Sequence, residues 1–236
     1  MNRTKFFSLT WKAAIVSVAV LLSTLVSNIA NAQGGINISL YGSYVFDDKF
    51  DTYYSGSSYY EGQIKGGLQW GIGVEYMVHS EYGVELLYFR QDTNAPTRYY
   101  GALVGGVNRD GEANLDLAMN YILLAPTKHF HSSNEKLEGF AGLMAGMVIA
   151  EASNPDPTGL GPGEDSATKF AWGLRLGGIY WASEKVGVRL LTQLLSASQA
   201  MGGGFYFGTG GAGAGVSSYS TIYQFGLGGG LVFKVK

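Results

Sequence analysis

The sequence predicts an all-β fold, a transmembrane antiparallel up-and-down β-barrel of about eight strands. Three observations carry that reading. From Ile36 onward, short segments recur with an apolar residue at every second position; the connections between them alternate between long and short; and an export leader stands at the N-terminus. Lipid offers the backbone no hydrogen-bond partner, so a sheet that spans it must close on itself and turn apolar side chains outward at every second position.

The leader comes first. Arg3, Lys5 and Lys12 precede or open an apolar stretch from Ala13 to Val26, and Ala30-Asn31-Ala32 forms a small-x-small cleavage site ahead of Gln33. That is the pattern of a bacterial secretory signal peptide over residues 1–32, and its apolar stretch is shorter than the roughly 20 residues a spanning helix needs. Cleavage would leave residues 33–236 as an outer-membrane barrel domain of 204 residues. The leader removes three of the 16 Lys and Arg and no acidic residue, which leaves 13 against 18 and a net charge of −5. A basic nucleic-acid footprint is therefore absent. The chain has no cysteine, which excludes a disulfide framework, a thiolate zinc site and a thiol nucleophile. Its 36 glycines and 16 tyrosines favour strands and tight packing over helices.

Counting parity places the strands. In the first segment Ile36, Ile38, Leu40, Gly42, Tyr44 and Phe46 share one face, opposite Asn37, Ser39, Tyr41 and Ser43. In the second, Leu68, Trp70, Ile72, Val74, Tyr76 and Val78 alternate with Gln69, Gly71, Gly73, Glu75 and Met77 over 11 residues, which matches the roughly 9 to 11 of a tilted spanning strand. The third sets Val84, Leu86 and Tyr88 against Glu85, Leu87, Phe89 and Gln91. The fourth sets Leu115, Leu117, Met119, Tyr121 and Leu123 against Asp116, Ala118 and Asn120, and its apolar row is read, like the others, as the lipid face.

In the fifth segment, Leu137 to Ala150, small and apolar residues occupy both rows; the odd row is assigned outward because Glu138 then avoids lipid. The sixth turns Phe170, Trp172, Leu174, Leu176 and Tyr180 away from Lys169, Gly173, Arg175 and Gly177. The seventh sets Val186, Val188, Leu190 and Leu194 against Gly187, Arg189 and Gln193. The eighth sets Tyr219, Tyr223, Phe225, Leu227, Leu231, Phe233 and Val235 against Ser220, Gln224, Gly226, Gly228, Gly230 and Lys234.

The connections sort into short turns, His79 to Tyr82, His131 to Lys136 and Ala182 to Lys185, and long loops, Asp47 to Gly67, Asp92 to Ala113, Glu151 to Ser166 and Ser196 to Ser218. Three short and four long connections in strict alternation fit eight up-and-down strands with short periplasmic turns and long extracellular loops.

On this topology, and on Leu231, Phe233 and Val235 near the C-terminus, the chain resembles the small eight-stranded outer-membrane proteins of the OmpA and OmpX type, barrel-only surface proteins of Gram-negative bacteria. The resemblance implies outer-membrane lipid and the barrel assembly machinery as partners, the latter through the last strand. Lys236 departs from the aromatic ending usual in that family, and no periplasmic domain is expected after the barrel.

Two sets of residues stand out within the strands. Trp70, Tyr88, Trp172 and Tyr219 lie toward the loop ends of the outward rows, and Tyr76, Tyr180 and Phe233 toward the turn ends, as two interfacial aromatic girdles would. Glu75, Glu85, Arg175 and Arg189 point inward at mid to turn-side depth, where two carboxylates and two guanidiniums can join across a narrow lumen. A plug of satisfied buried charges is expected there over a gate or ion path, since an eight-stranded interior is only wide enough for side chains.

Catalysis is not expected. The three histidines, His79, His129 and His131, sit at the turn end and flank short turns, out of reach of a nucleophile at the loop rim. His129 and His131 lack a third ligand and are read as solvated turn residues. No metal site and no cofactor are expected, and the acidic pairs lack the ligand spacing of a calcium loop. Tyr53, Tyr54, Tyr59 and Tyr60 in the first loop, with Arg98, Tyr99 and Tyr100 in the second, offer the adaptable chemistry of a protein or glycan contact. The functional expectation is a cell-surface protein with a structural or surface-interaction role, its barrel an anchor and its loops the contact surface. The alternatives are a narrow small-solute pore and, with the apolar face inward, a secreted lipocalin-like ligand carrier.

Overall fold

The computed structural model describes residues 35–54, 58–104, 107–153, 164–198 and 222–235; the leader and Tyr219 lie outside them. In chain order the strands are β1 (Ile36–Val45), β2 (Asp48–Tyr54), β3 (Ser58–Ile64), β4 (Gly67–His79), β5 (Tyr82–Val104), β6 (Val107–His131), β7 (Leu137–Ser153), β8 (Glu164–Trp181), β9 (Val186–Ser198) and β10 (Ile222–Lys234). Eight of them, β1 and β4 to β10, pair antiparallel in a ring that closes through β1 and β10. Leu40, for example, lies opposite Leu231 on one side and Ile72 on the other. Closure leaves the barrel no edge to expose unpaired backbone groups.

The outward rows are apolar. Leu68 is 68% exposed and Leu190 69%, and Leu40, Ile72, Leu143, Leu174 and Leu227 stand out beside them. Buried between these rows are Asn37, Ser39, Ser43, Gln69, Glu75, Glu85, Arg175, Arg189 and Gln193. A soluble domain would invert this pattern; here greasy side chains outside and polar ones inside make the surface of a membrane-spanning barrel. The fifth segment, β7, turns Leu137, Leu143 and Met147 outward and buries Phe140, Met144 and Val148.

The fourth segment is corrected. Leu115, Leu117, Met119, Tyr121 and Leu123 are buried in the lumen, and Ile122 and Leu124 face lipid. Register decides the matter: Leu124 and Ile122 lie opposite Leu86 and Tyr88 of β5, and residues directly opposed in a pair share a face. Both rows of β6 are apolar near its middle, so parity alone did not distinguish them.

The first two long connections are corrected as well. β2 and β3 form a hairpin within the first, and β5 and β6 run on as one long hairpin through the second, up to Val104 opposite Val107. Beyond Gln91 β5 leaves β4, and before Asp116 β6 has not yet met β7. The hairpin β2–β3 docks there, with Gly62 opposite Thr97 and Glu61 opposite Arg98. A four-stranded sheet, β2-β3-β5-β6, therefore continues the barrel wall at its loop end. Its inner side carries buried Ile64, Ala95, Thr97 and Leu115, which extends the packed interior upward.

Candidate functional site

Among the described residues, the lumen holds the most connected group of polar side chains. Glycine makes room for it: a Cβ on Gly73 of β4 would lie 2.0 Å from Glu85 Oε1, and one on Gly83 of β5 would lie 2.9 Å from Glu75 Oε1. Inward glycines thus let two carboxylates fold against the wall of a narrow barrel.

The structure brings Glu75, Glu85, Arg175 and Arg189 together. Arg175 Nη1 donates to Glu85 Oε2 at 2.6 Å, and Arg189 Nη1 reaches the same oxygen at 3.4 Å. Arg189 Nη2 lies 3.6 Å from Glu75 Oε2. Tyr41 of β1, on the polar row of the first strand, donates to Glu85 Oε1 at 2.7 Å and accepts from Arg189. Arg175 also donates to Thr127. Arg189 stacks over the Phe140 ring at 4.8 Å from its centroid and over Tyr41 at 5.5 Å. Each charge therefore has a partner of opposite sign in a buried site, the condition under which ion pairs are strongest and an orphaned charge most costly.

Tyr41, Thr127 and the members that follow were not anticipated. His129 is a buried lumen residue, and its reading as a solvated turn residue is corrected: it sits within β6, with Nε2 2.9 Å from Glu75 Oε1 and Nδ1 in hydrogen-bond contact with Glu138. Glu138 of β7 also accepts from Trp181 Nε1 at 3.0 Å, and Asn37 Nδ2 donates to Glu75 at 3.1 Å. The signal for His129 was its parity with Thr127, Ala125 and Leu123, legible only once the faces of β6 are assigned. His79 and His131 are exposed. Among the described residues no group of three or more His, Cys, Asp or Glu is placed to hold a metal ion.

Above the charges lies a glutamine tier. Gln193 Nε2 donates to Gln69 Oε1 at 2.6 Å, Gln224 Nε2 to Gln91 Oε1 at 3.1 Å, and Tyr121 OH to Gln224 Oε1 at 2.7 Å. Phe89, Leu87, Met119, Leu123, Met144, Ile179 and Leu195 fill the remaining space. The lumen is thus occupied by side chains from its turn-side mouth upward.

Outside, Trp70 and Tyr180 are exposed and Tyr76, Tyr88, Trp172 and Phe233 half-buried, all on outward rows. Tyr44, Phe46, Tyr223 and Phe225 join them at the loop end, and Tyr82 and Phe130 at the turn end. Phe46 stacks on Phe225 at 5.7 Å, and Lys128 lies over both Tyr82 and Phe130. Of the loop residues, Tyr53 pairs in register with Tyr59, Tyr54 with Ser58, Tyr60 with Tyr99 and Tyr59 with Tyr100. Arg98 Nε donates to Glu112 at 2.7 Å. Asp48, at the loop end, accepts from the Tyr223 backbone at 2.9 Å, and burial holds its carboxyl above the usual carboxylate range.

No protein-family profile and no curated protein matches the chain in sequence. Among solved structures it is similar to Neisserial surface protein A (TM-score 0.49, 11% identity, 84% of this chain and 96% of that one). It is also similar to the outer-membrane protein OprG of Pseudomonas aeruginosa (0.49, 16%, 85% and 96%) and to the outer-membrane protease OmpT of Escherichia coli (0.45, 8%, 85% and 95%). No activity is carried over from likenesses of that degree. By its own strand count, its closure through β1 and β10 and its outward apolar rows, the chain is a small eight-stranded up-and-down membrane β-barrel.

Proposed function

We propose that this protein is an outer-membrane barrel serving as an anchor, with the sheet β2-β3-β5-β6 and the remaining long connections presented at the cell surface to a protein or glycan partner. The observation that carries the proposal is the closed lumen: Arg175, Glu85, Arg189, Tyr41 and Glu75 meet across it, above His129 and Glu138 and below the glutamine tier. A barrel blocked by its own paired charges passes nothing, so its use lies in what it holds outside. The apolar surface is external and the interior filled, the reverse of what a soluble ligand-carrying barrel needs. The last strand, β10, carries Phe225, Leu231 and Phe233 outward and is assigned to recognition by the assembly machinery.

The test is planar-bilayer recording of the refolded protein together with fractionation of cells that express it. The expected results are a silent bilayer and recovery in the outer-membrane fraction. Steady stepwise current through single barrels would replace the anchor with a narrow pore, and recovery in the soluble fraction would overturn the membrane assignment.

A further inference from the structure

On β5 and β6 the apolar outward rows give way to charge toward the loop end. On β5 the outward row runs Val84, Leu86, Tyr88 and then turns to Arg90, Asp92 and Asn94; on β6 it runs Leu124, Ile122 and then turns to Asn120 and Asp116. Arg90 lies in register between Trp70 on β4 and Asn120 on β6. A guanidinium thus stands outward at the level of the aromatic girdle, beside an indole that is 47% exposed.

The cluster is joined by side-chain hydrogen bonds. Arg90 Nε and Nη2 donate to the two carboxylate oxygens of Asp92 at 3.1 and 2.7 Å. Its Nη1 donates to Asn120 Oδ1 at 3.2 Å, which also accepts from Tyr88 OH at 2.8 Å. The Tyr88 ring packs edge-on to Trp70 at 5.8 Å. Asn120 is only 8% exposed although it sits on the outward row, because Tyr88 and Arg90 cover it.

We infer that this cluster, Trp70, Tyr88, Arg90, Asp92 and Asn120, seats a sugar of an acylated saccharide, a glycolipid of the surrounding leaflet. The inference rests on the outer-membrane reading above. The site is continuous with the lipid face below it, where Ile72, Leu86, Ile122 and Leu124 offer a track for acyl chains, and with a polar wall above it, where Asn94 donates to Asp116 at 2.7 Å. Its occupant must match both, being apolar at one end and polar at the other.

The chemistry selects hydroxyls over a bare anion. Arg90 carries five N–H groups, of which three are engaged here, leaving two to donate to an oxygen at the surface. Asp92 remains an acceptor and repels a phosphate, and a sugar hydroxyl both donates and accepts. The exposed indole supplies the flat apolar face against which the C–H side of a sugar ring packs. Because the polar groups already hold one another in place, little side-chain freedom is lost on binding.

The experiment is native mass spectrometry of the detergent-folded barrel with purified lipooligosaccharide, and separately with phosphatidylglycerol. The wild type is expected to retain lipooligosaccharide selectively. Trp70→Leu and Asp92→Asn are each expected to weaken retention about tenfold, while Trp172→Leu, at the other loop-side indole, leaves it unchanged. Cooperative thermal unfolding of each variant confirms that the barrel is folded. Equal retention of phosphatidylglycerol, an equal loss in Trp172→Leu, or unaltered retention in both Trp70→Leu and Asp92→Asn would overturn the inference. A wild type that inserts into vesicles yet holds no lipooligosaccharide refutes the glycolipid site alone, whereas one that does not insert refutes the membrane assignment beneath it.

Discussion

The imidazole of His129 joins two carboxylates on different strands, with Nε2 2.9 Å from Glu75 on β4 and Nδ1 against Glu138 on β7. Both ring nitrogens can donate only when the ring carries two protons. In that form the turn-side lumen balances three carboxylates, Glu75, Glu85 and Glu138, with three cations, Arg175, Arg189 and His129. An amide has donors at one end only, so His129→Gln can satisfy one carboxylate and leaves the other facing an acceptor. The expected result is a loss of about 3 to 5 kcal/mol of stability, read as a lower urea midpoint for the detergent-folded barrel.

Arg175 meets Glu85, Tyr41 and Thr127 at once. Arg175→Ala strands Glu85 with a weaker partner in Arg189 at 3.4 Å, and the unfolding temperature is expected to fall by an amount equivalent to about 3 to 5 kcal/mol. Arg175→Lys is expected to recover only part of it, since an ammonium lacks the planar fork that reaches Glu85 and Thr127 together. An unchanged temperature in Arg175→Ala would show that the network contributes nothing to stability.

Glycines on the two faces of the wall make opposite predictions. A Cβ on Gly73 meets the Glu85 carboxylate at 2.0 Å and Leu87 Cδ2 at 3.0 Å, whereas a Cβ on Gly42 meets nothing within 4 Å. Gly73→Ala is expected to cost about 1 to 3 kcal/mol by overpacking. Gly42→Ala is expected to be neutral or stabilising by a fraction of a kcal/mol, because it restricts the unfolded chain. Side-by-side denaturant curves compare the two directly.

The absence of native cysteine makes the reversed face of β6 easy to check. Ile122→Cys, toward lipid, is expected to react with a membrane-soluble maleimide, and Leu123→Cys, packed in the lumen, to stay protected until the barrel unfolds. The opposite labelling pattern would restore the parity first read from the sequence.

A lipid-face charge supplies the last comparison. Leu174→Lys, on the outward row of β8, is expected to destabilise the bilayer-folded protein by about 2 to 4 kcal/mol if it lies near the midplane. Asp92→Asn at the rim is expected to change stability by less than about 1 kcal/mol, since the bond to Arg90 is partly exposed. Refolding titrations into vesicles measure both.

Alternation with period two, local in sequence, determined by itself that the chain is a barrel with apolar rows outward, because a strand's side chains follow its pleat whatever its partners are. It also put Glu75, Glu85, Arg175 and Arg189 on inward rows. Tertiary structure decided what depends on partners. The lumen face of β6 came from its register with β5, since both of its rows are apolar. The burial of His129 followed from that face, and its two carboxylates come from strands 54 and nine residues away. Strand pairing likewise placed β2, β3 and the outer stretches of β5 and β6, which lie within connections read from the sequence as loops, in a sheet, because cross-strand hydrogen bonds, not local polarity, decide whether a Gly- and Tyr-rich segment is extended.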